Sequence, residues 1–234
     1  MPYPVILFDI DNTLIDFTET AKAASAAVLS FGGHSADSES TALYFEFNDK
    51  TWSGLNLDNV DDSNICRSYH ELYRKYLFEA NRLAGIEMKL TKNSSELTEC
   101  FITELGRCAV PNVNAVEICR QLSPSHTLCI ASNGLTSLQI SKLSLFKPYL
   151  SHFFISEDLD CIKPEERYFK YILKQLQCSA SDCIMVGDSL KNDIWGANQS
   201  KIASCYYNPN FNENLTGISP TYEIHDFKEL LDIV

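Results

Sequence analysis

The chain has 234 residues, 45% hydrophobic and 21% charged, the proportions of an ordinary soluble protein with room for one large domain or a domain carrying an insertion. Nineteen basic residues against 31 acidic give a formal net charge of −12, and no dense Lys/Arg run exists. That balance argues against nucleic acid and anionic membrane surfaces as partners, and no stretch approaches the roughly 20 apolar residues that span a bilayer.

The first residues run directly into Val5-Ile6-Leu7-Phe8 with no basic leader and an apolar run too short for a signal peptide, so a cytosolic protein is expected. That run reads as a buried strand, and it ends at once in Asp9-Ile10-Asp11-Asn12-Thr13. Residues 16–108 look different. Segments 20–31, 38–47, 64–84 and 94–107 carry helix-like spacing and contain no convincing strand. In 64–84, Ile65, Tyr69, Leu72, Tyr76 and either Ala80 or Leu83 fall on one face. Turn-rich connectors at 32–35 and 56–62 separate the helices. From residue 109 onward the pattern alternates. Short apolar runs at 126–131, 153–156, 183–186 and 204–207 lie between helical patterns at 113–122, 135–146, 165–177 and 192–199. A last strand at 221–224 and a closing helix at 227–234 complete the series. Such alternation predicts an α/β fold with a parallel sheet made from 1–15 and 109–234, interrupted after its first strand by an all-helical insertion at 16–108.

Nine cysteines are many for this length, but none forms a C-x-x-C pair and their number is odd. The five histidines show no ligand spacing either. A zinc site and a disulfide framework are therefore not expected, and the thiols read as reduced and mostly buried.

Open parallel sheets bind ligands outside the carboxyl ends of their strands, and four polar clusters sit at such positions. Asp9 and Asp11 can divide labour, one as nucleophile and the other as proton handler, although a D-x-D-x-T string alone is also an ordinary acidic turn. Ser132-Asn133-Gly134 offers a hydroxyl, an amide and glycine-permitted N–H groups for a phosphate cradle; the plain alternative is a helix N-cap. Lys163-Pro164 precedes a helix, with Pro164 suited to the first helical turn, and Lys163 is either a phosphate-neutralising or a solvent-facing lysine. Gly187-Asp188-Ser189-Leu190-Lys191-Asn192-Asp193 supplies two more carboxylates suited to a hard, oxygen-preferring cation. Their order decides between the alternatives. Four clusters at one sheet edge bring Asp9, Asp11, Asp188 and Asp193 together, and that density of like charge calls for a divalent metal and Lys163 as compensation.

With these motifs in place, the chain resembles the haloacid dehalogenase-like hydrolase superfamily over nearly its whole length: D-x-D-x-T at Asp9 to Thr13, the second-motif Ser132, the third-motif Lys163, and G-D-S-x-x-x-D from Gly187 to Asp193. The resemblance implies a Rossmann-like three-layer core with a helical cap of the four-helix type. It implies Asp9 as nucleophile, Asp11 as general acid and base, and Lys163 as charge partner. Ser132 with the Asn133 and Gly134 amides would hold phosphate. Mg²⁺ would be bound by Asp9, the Asp11 carbonyl and Asp188, with Asp193 in support. A narrower similarity, to bacterial pyrimidine 5′-nucleotidases, lies in the run from Ser132 to Gln139, in Pro220-Thr221-Tyr222 with Leu230-Leu231, and in Asn48 and Trp52 of the cap. Two loops depart from the usual pattern, at Asp160-Cys161-Ile162 and at Ser200, and neither touches a catalytic group. The expected substrate is a small phosphorylated metabolite, a nucleoside monophosphate first and a sugar phosphate as the alternative.

Overall fold

In the computed structural model, which describes residues 2–234, six strands form one fully parallel sheet. They are β1 (Val5–Phe8), β2 (Thr127–Ser132), β3 (His152–Ile155), β4 (Cys183–Gly187), β5 (Ala203–Tyr207) and β6 (Tyr222–Ile224), in the order β3-β2-β1-β4-β5-β6. The helices are α1 (Phe17–Phe31), α2 (Ser38–Gly54), α3 (Ser63–Glu87), α4 (Ser94–Arg107), α5 (Ala115–Leu122), α6 (Thr136–Ser141), α7 (Ser156–Leu159), α8 (Glu166–Leu176) and α9 (Gly196–Gln199).

All four residues of β1 are buried because both faces of the sheet are covered, so its sequence is a continuous apolar run rather than an alternating one. The faces still divide by the period of two. Val5 and Leu7 join Cys129, Ala131, Cys183 and Met185 under Tyr168, Phe169 and Ile172 of α8 and Ala197 of α9. On the opposite face, the Phe8 ring lies 6.4 Å from that of Phe227, which in turn packs on Tyr207, and α5 adjoins the same Phe227–Asp232 turn. The core is thus three-layered, helix on sheet on helix.

The chain divides into two compact units: one comprises the chain up to Asp16 with Pro111–Thr136 and Leu143–Val234, the other Phe17–Val110 with Ser137–Lys142. In the second, α1 packs on α2 and α4 while α3 packs on the same two, a closed four-helix arrangement. Its starts carry strong caps. Asp37 and Asp62 accept backbone N–H bonds at α2 and α3, and Asn93 with Glu96 forms a reciprocal capping box at α4.

Several boundaries differ from the expected ones. The predicted helix at 135–146 is only α6, and most of it belongs to the helical unit. The Cα of Gly106 in α4 leaves room for Ser141 there: a Cβ at Gly106 would lie 2.4 Å from the Ser141 Oγ. Helix α2 runs on to Gly54, so Asn48 and Trp52 are helical. The segment at 192–199 is split between a π-type helix, Leu190–Trp195, and α9. The closing helix is a 3-10 helix, Phe227–Asp232. Pro164 lies outside α8, which begins at Glu166 with Glu165 as N-cap. A tight turn from Ile162 to Glu165 takes its place, closed by Glu165 N–H on the Ile162 carbonyl (2.9 Å) and by Ile162 N–H on Glu165 Oε2 (3.0 Å).

Candidate active site

The strand order reverses between β1 and β4, and a parallel sheet opens a crevice at its carboxyl edge there. Asp9 and Asp188 are the residues that follow these two strands. The Asp9 N–H extends the ladder by donating to the Val186 carbonyl at 3.0 Å. Thr13 closes the pair from behind: its hydroxyl donates to Asp188 Oδ1 (3.3 Å) and accepts from the Asp188 N–H (3.0 Å).

Asp193 reaches the same point from the π-type helix. Its Oδ2 accepts from the Ser189 N–H at 3.0 Å, and the fit against β4 requires glycine at 187, where a Cβ would lie 2.2 Å from that oxygen. Lys163 is 2% exposed, and its Nζ spans Asp9 Oδ1 at 2.7 Å and Asp193 Oδ1 at 2.6 Å. It is not a solvent-facing lysine. The side-chain amide of Asn133 clamps its backbone, donating to the Lys163 carbonyl at 2.9 Å and accepting its N–H at 2.7 Å.

Ligand oxygens of Asp9, Asp188 and Asp193 all lie within 4.8 Å of one another. Burial works against a charge on Lys163, but Asp193 and Asp9 hold its proton and the net shift is upward. Burial, then the charges of Asp9 and Asp193, push the Asp188 carboxyl well above the usual carboxylate range. Burial also lifts Asp193, to about 6, against the pull of Lys163. Three carboxylates facing one ammonium leave an excess of two negative charges, which a divalent oxygen-seeking cation fits. Both Asp193 oxygens are already engaged, so Asp9 and Asp188 are the carboxylates available to such an ion and Asp193 backs them.

Two expectations need correction here. The group of carboxylates whose oxygens converge comprises Asp9, Asp188 and Asp193 without Asp11; just beyond Asp11 the chain turns at Asn12, with a left-handed φ of 58°, and Asp11 bridges Ile15. The Gly134 N–H is not directed at a ligand, since it donates to Ser156 Oγ at 3.0 Å inside the fold. In the helical unit, Asn48 is 4% exposed, donates to the Tyr44 carbonyl at 3.1 Å and accepts from the Tyr76 hydroxyl at 3.4 Å, so its amide is turned inward. Trp52 is half-buried, edge-on to Tyr73 and Tyr76 at 5.6 and 5.2 Å, with its indole N–H on Asp58 at 2.8 Å.

Sequence reasoning missed Tyr168, which reads as a core aromatic of α8. Its buried hydroxyl donates to the Phe154 carbonyl at 2.6 Å and accepts from the Ser132 N–H, so it ties the ends of β2 and β3 to the helix that follows Lys163. Only the burial of a polar tip separates it from an apolar neighbour, and no spacing rule reports that. Tyr168→Phe keeps the ring and strands both partners. Its urea-unfolding midpoint is expected to show a loss of about 1–3 kcal/mol, whereas a change near zero would remove this tie. Tyr206 was also missed. Paired with Gly187 in the β4–β5 ladder, its phenol is raised by burial and then by the nearby Asp188.

A family model described as haloacid dehalogenase-like hydrolase matches residues 3–201. The pyrimidine 5′-nucleotidase PynA of Streptococcus pneumoniae is 30% identical over 99% of this chain and 95% of its own length. The ribulose-1,5-bisphosphate 5-phosphatase of Halopiger xanaduensis is 26% identical over 90% of this chain and 87% of its own. A crystal structure of the HAD-hydrolase YfnB from Bacillus subtilis, bound to magnesium, superposes with a TM-score of 0.76 at 25% identity, covering 100% of this chain and 99% of that one. The family match begins ahead of β1 and ends beyond Asp193, so it takes in every strand-end cluster, and this enzyme belongs to the haloacid dehalogenase-like hydrolase family.

Proposed function

We propose that the enzyme is a magnesium-dependent phosphatase that hydrolyses small phosphate monoesters, nucleoside monophosphates first among them, through a phosphoryl group carried on Asp9. The observation that carries this reading is the buried Lys163 bridging Asp9 and Asp193. It holds one oxygen of Asp9 and leaves the carboxylate pinned in a single orientation at the crevice.

Asp9 attacks phosphorus and the ester oxygen leaves with a proton from Asp11, which is half-exposed and two residues on from Asp9. Asp11 then takes a proton from the water that attacks the aspartyl phosphate. With Gly134 occupied by Ser156, the phosphoryl oxygens fall to the Ser132 hydroxyl, the Asn133 N–H and Lys163. Asp9, Asp188 and the Asp11 carbonyl would hold Mg²⁺, with Asp193 in support; the ion would offset phosphate charge and polarise the phosphoryl oxygens.

Two observations support nucleotides: the near full-length similarity to PynA, and the half-exposed Trp52 as an aromatic face for a base. Asn48, turned inward, is no longer assigned to substrate. A sugar phosphate is the second reading, favoured by the similarity to the ribulose bisphosphatase. The test is a panel of phosphorylated metabolites assayed with Mg²⁺ and with a chelator. Nucleoside monophosphates are expected to exceed sugar phosphates by at least about tenfold in kcat/KM, and Trp52→Leu to erase most of that margin while sparing a small aryl phosphate. A margin in the opposite direction transfers the assignment to sugar phosphates. Hydrolysis of no phosphate ester, or undiminished hydrolysis in chelator, refutes the proposal.

A further inference from the structure

All nine cysteines are free thiols, and the chemistry above uses none of them. Most are sealed in the core or stand apart, but two meet: the sulfurs of Cys178 and Cys183 are 3.4 Å from each other. Cys178 follows α8, whose end is turned by Gln177 at a left-handed φ of 52°, and its N–H donates to the Leu173 carbonyl at 3.2 Å. Cys183 opens β4 and is locked in the sheet. Between them runs a short 3-10 turn in which Ser179 and Asp182 cap each other's backbone N–H groups. Both backbones are therefore held, and the sulfurs need only rotate about 1.4 Å closer to reach disulfide length. Cys178 is half-buried and Cys183 fully buried, so reagents meet Cys178 first. The Cys129 thiol of β2 is the third sulfur in this neighbourhood.

We propose that Cys178 and Cys183 form a reversible redox-modification site, closed by peroxide into an intrachain disulfide that fastens the end of α8 to the start of β4. The Cys178 thiolate attacks one oxygen of hydrogen peroxide and becomes a sulfenic acid, releasing hydroxide, which its lost proton converts to water. The Cys183 sulfur then attacks the sulfenic sulfur; its own proton leaves with the departing hydroxide as a second water. Two electrons pass from the thiols to the peroxide, and a dithiol reductant returns them. The bond sits at the sheet edge opposite Asp188, on the far ends of the two elements whose near ends lead to Lys163 and Asp188. It restrains the frame without touching the crevice.

The test uses the folded, full-length protein treated with hydrogen peroxide, alkylated and digested with trypsin. Both cysteines fall in the one peptide covering residues 175–191, which is expected to be lighter by two hydrogen atoms and to return to its reduced mass with dithiothreitol. The oxidised protein is expected to melt about 5 °C higher than the reduced one, with kcat unchanged within twofold. Cys178→Ser, with Cys178→Ala as a second version should serine unfold the protein, is expected to lose the mass change and the melting shift while keeping wild-type activity. Two free, alkylatable thiols after treatment, irreversible over-oxidation of Cys178, or a bond from Cys183 to Cys129 would each overturn the assignment.

Discussion

Asp9→Asn is expected to lower kcat by at least about 10⁴-fold on every phosphate ester the enzyme accepts. The amide has the shape of the carboxylate and can keep the backbone bond to Val186, but it has no anionic oxygen with which to attack phosphorus. Lys163 retains Asp193 at 2.6 Å, so the lysine is not stranded and the fold should survive. Melting temperature measured beside phosphate release separates the two effects: a stable, inactive variant is the expected result. A variant within about tenfold of wild-type kcat would end the case for a phosphoryl group on Asp9.

Lys163→Met is expected to damage both chemistry and stability. Among the described residues the ammonium is the cation bonded to Asp9 and Asp193, and taking one partner from a buried ion pair costs on the order of 3–5 kcal/mol. Turnover should fall by about 10³-fold, because the nucleophile loses its fixed orientation and the phosphoryl group loses a counter-charge. The pH dependence has a definite sign. Wild-type Lys163 is raised above its ordinary value, so its stabilising contribution is complete at neutral pH and declines only as pH rises past the normal lysine range. Asp188 and Asp193 are already lifted in the folded protein, and losing the lysine removes an influence that holds both down. A carboxyl raised on folding favours the native state while protonated and loses that contribution as pH rises through its folded value, about 6 for Asp193 in the wild type and higher in the variant. The stability gap to wild type should therefore widen between pH 5 and pH 8, measured by urea unfolding without added metal. A gap independent of pH would mean that the carboxylates do not feel the lysine.

Most strands were legible because they are short apolar runs ended by a polar cluster, as in Val5-Ile6-Leu7-Phe8-Asp9, and their parallel order follows from the helices between them. Asp9 and Asp188 were legible because they directly follow strand ends, and Lys163 and Asp193 because they lie in the polar connections that leave the same edge of the sheet. What escaped were bonds that pass between elements distant in sequence. The Asn133 clamp on Lys163 spans thirty residues, and the Ser156 hydroxyl that takes the Gly134 N–H spans 22. Neither has a spacing to read. The inward turn of Asn48 escaped because α2 was expected to stop at residue 47, which left Asn48 outside the helix instead of on a buried helical face beside Tyr44 and Tyr76. The close approach of Ser141 at the end of α6 to α4 also escaped, because it depends on one absent side chain, at Gly106.

The long excursion between β1 and α5 leaves and rejoins the sheet's chain at a single seam. Ile15 bridges Pro111, the Asn112 N–H donates to the Leu14 carbonyl at 2.9 Å, and the Asn112 side chain donates to the Thr13 carbonyl at 2.6 Å. Beyond the seam, the Val110 N–H is taken by the Thr20 hydroxyl at 2.9 Å. Outgoing and returning chain thus run side by side at about the spacing of paired strands, each secured to its own side. The chain departs for Phe17–Val110 and returns from it across one bridge, two residues past Thr13. Such a segment begins and ends at one point of the chain. A change in its length therefore leaves the spacing of its two ends, and the bonds that Thr13, Leu14 and Ile15 make to Asn112 and Pro111, as they are.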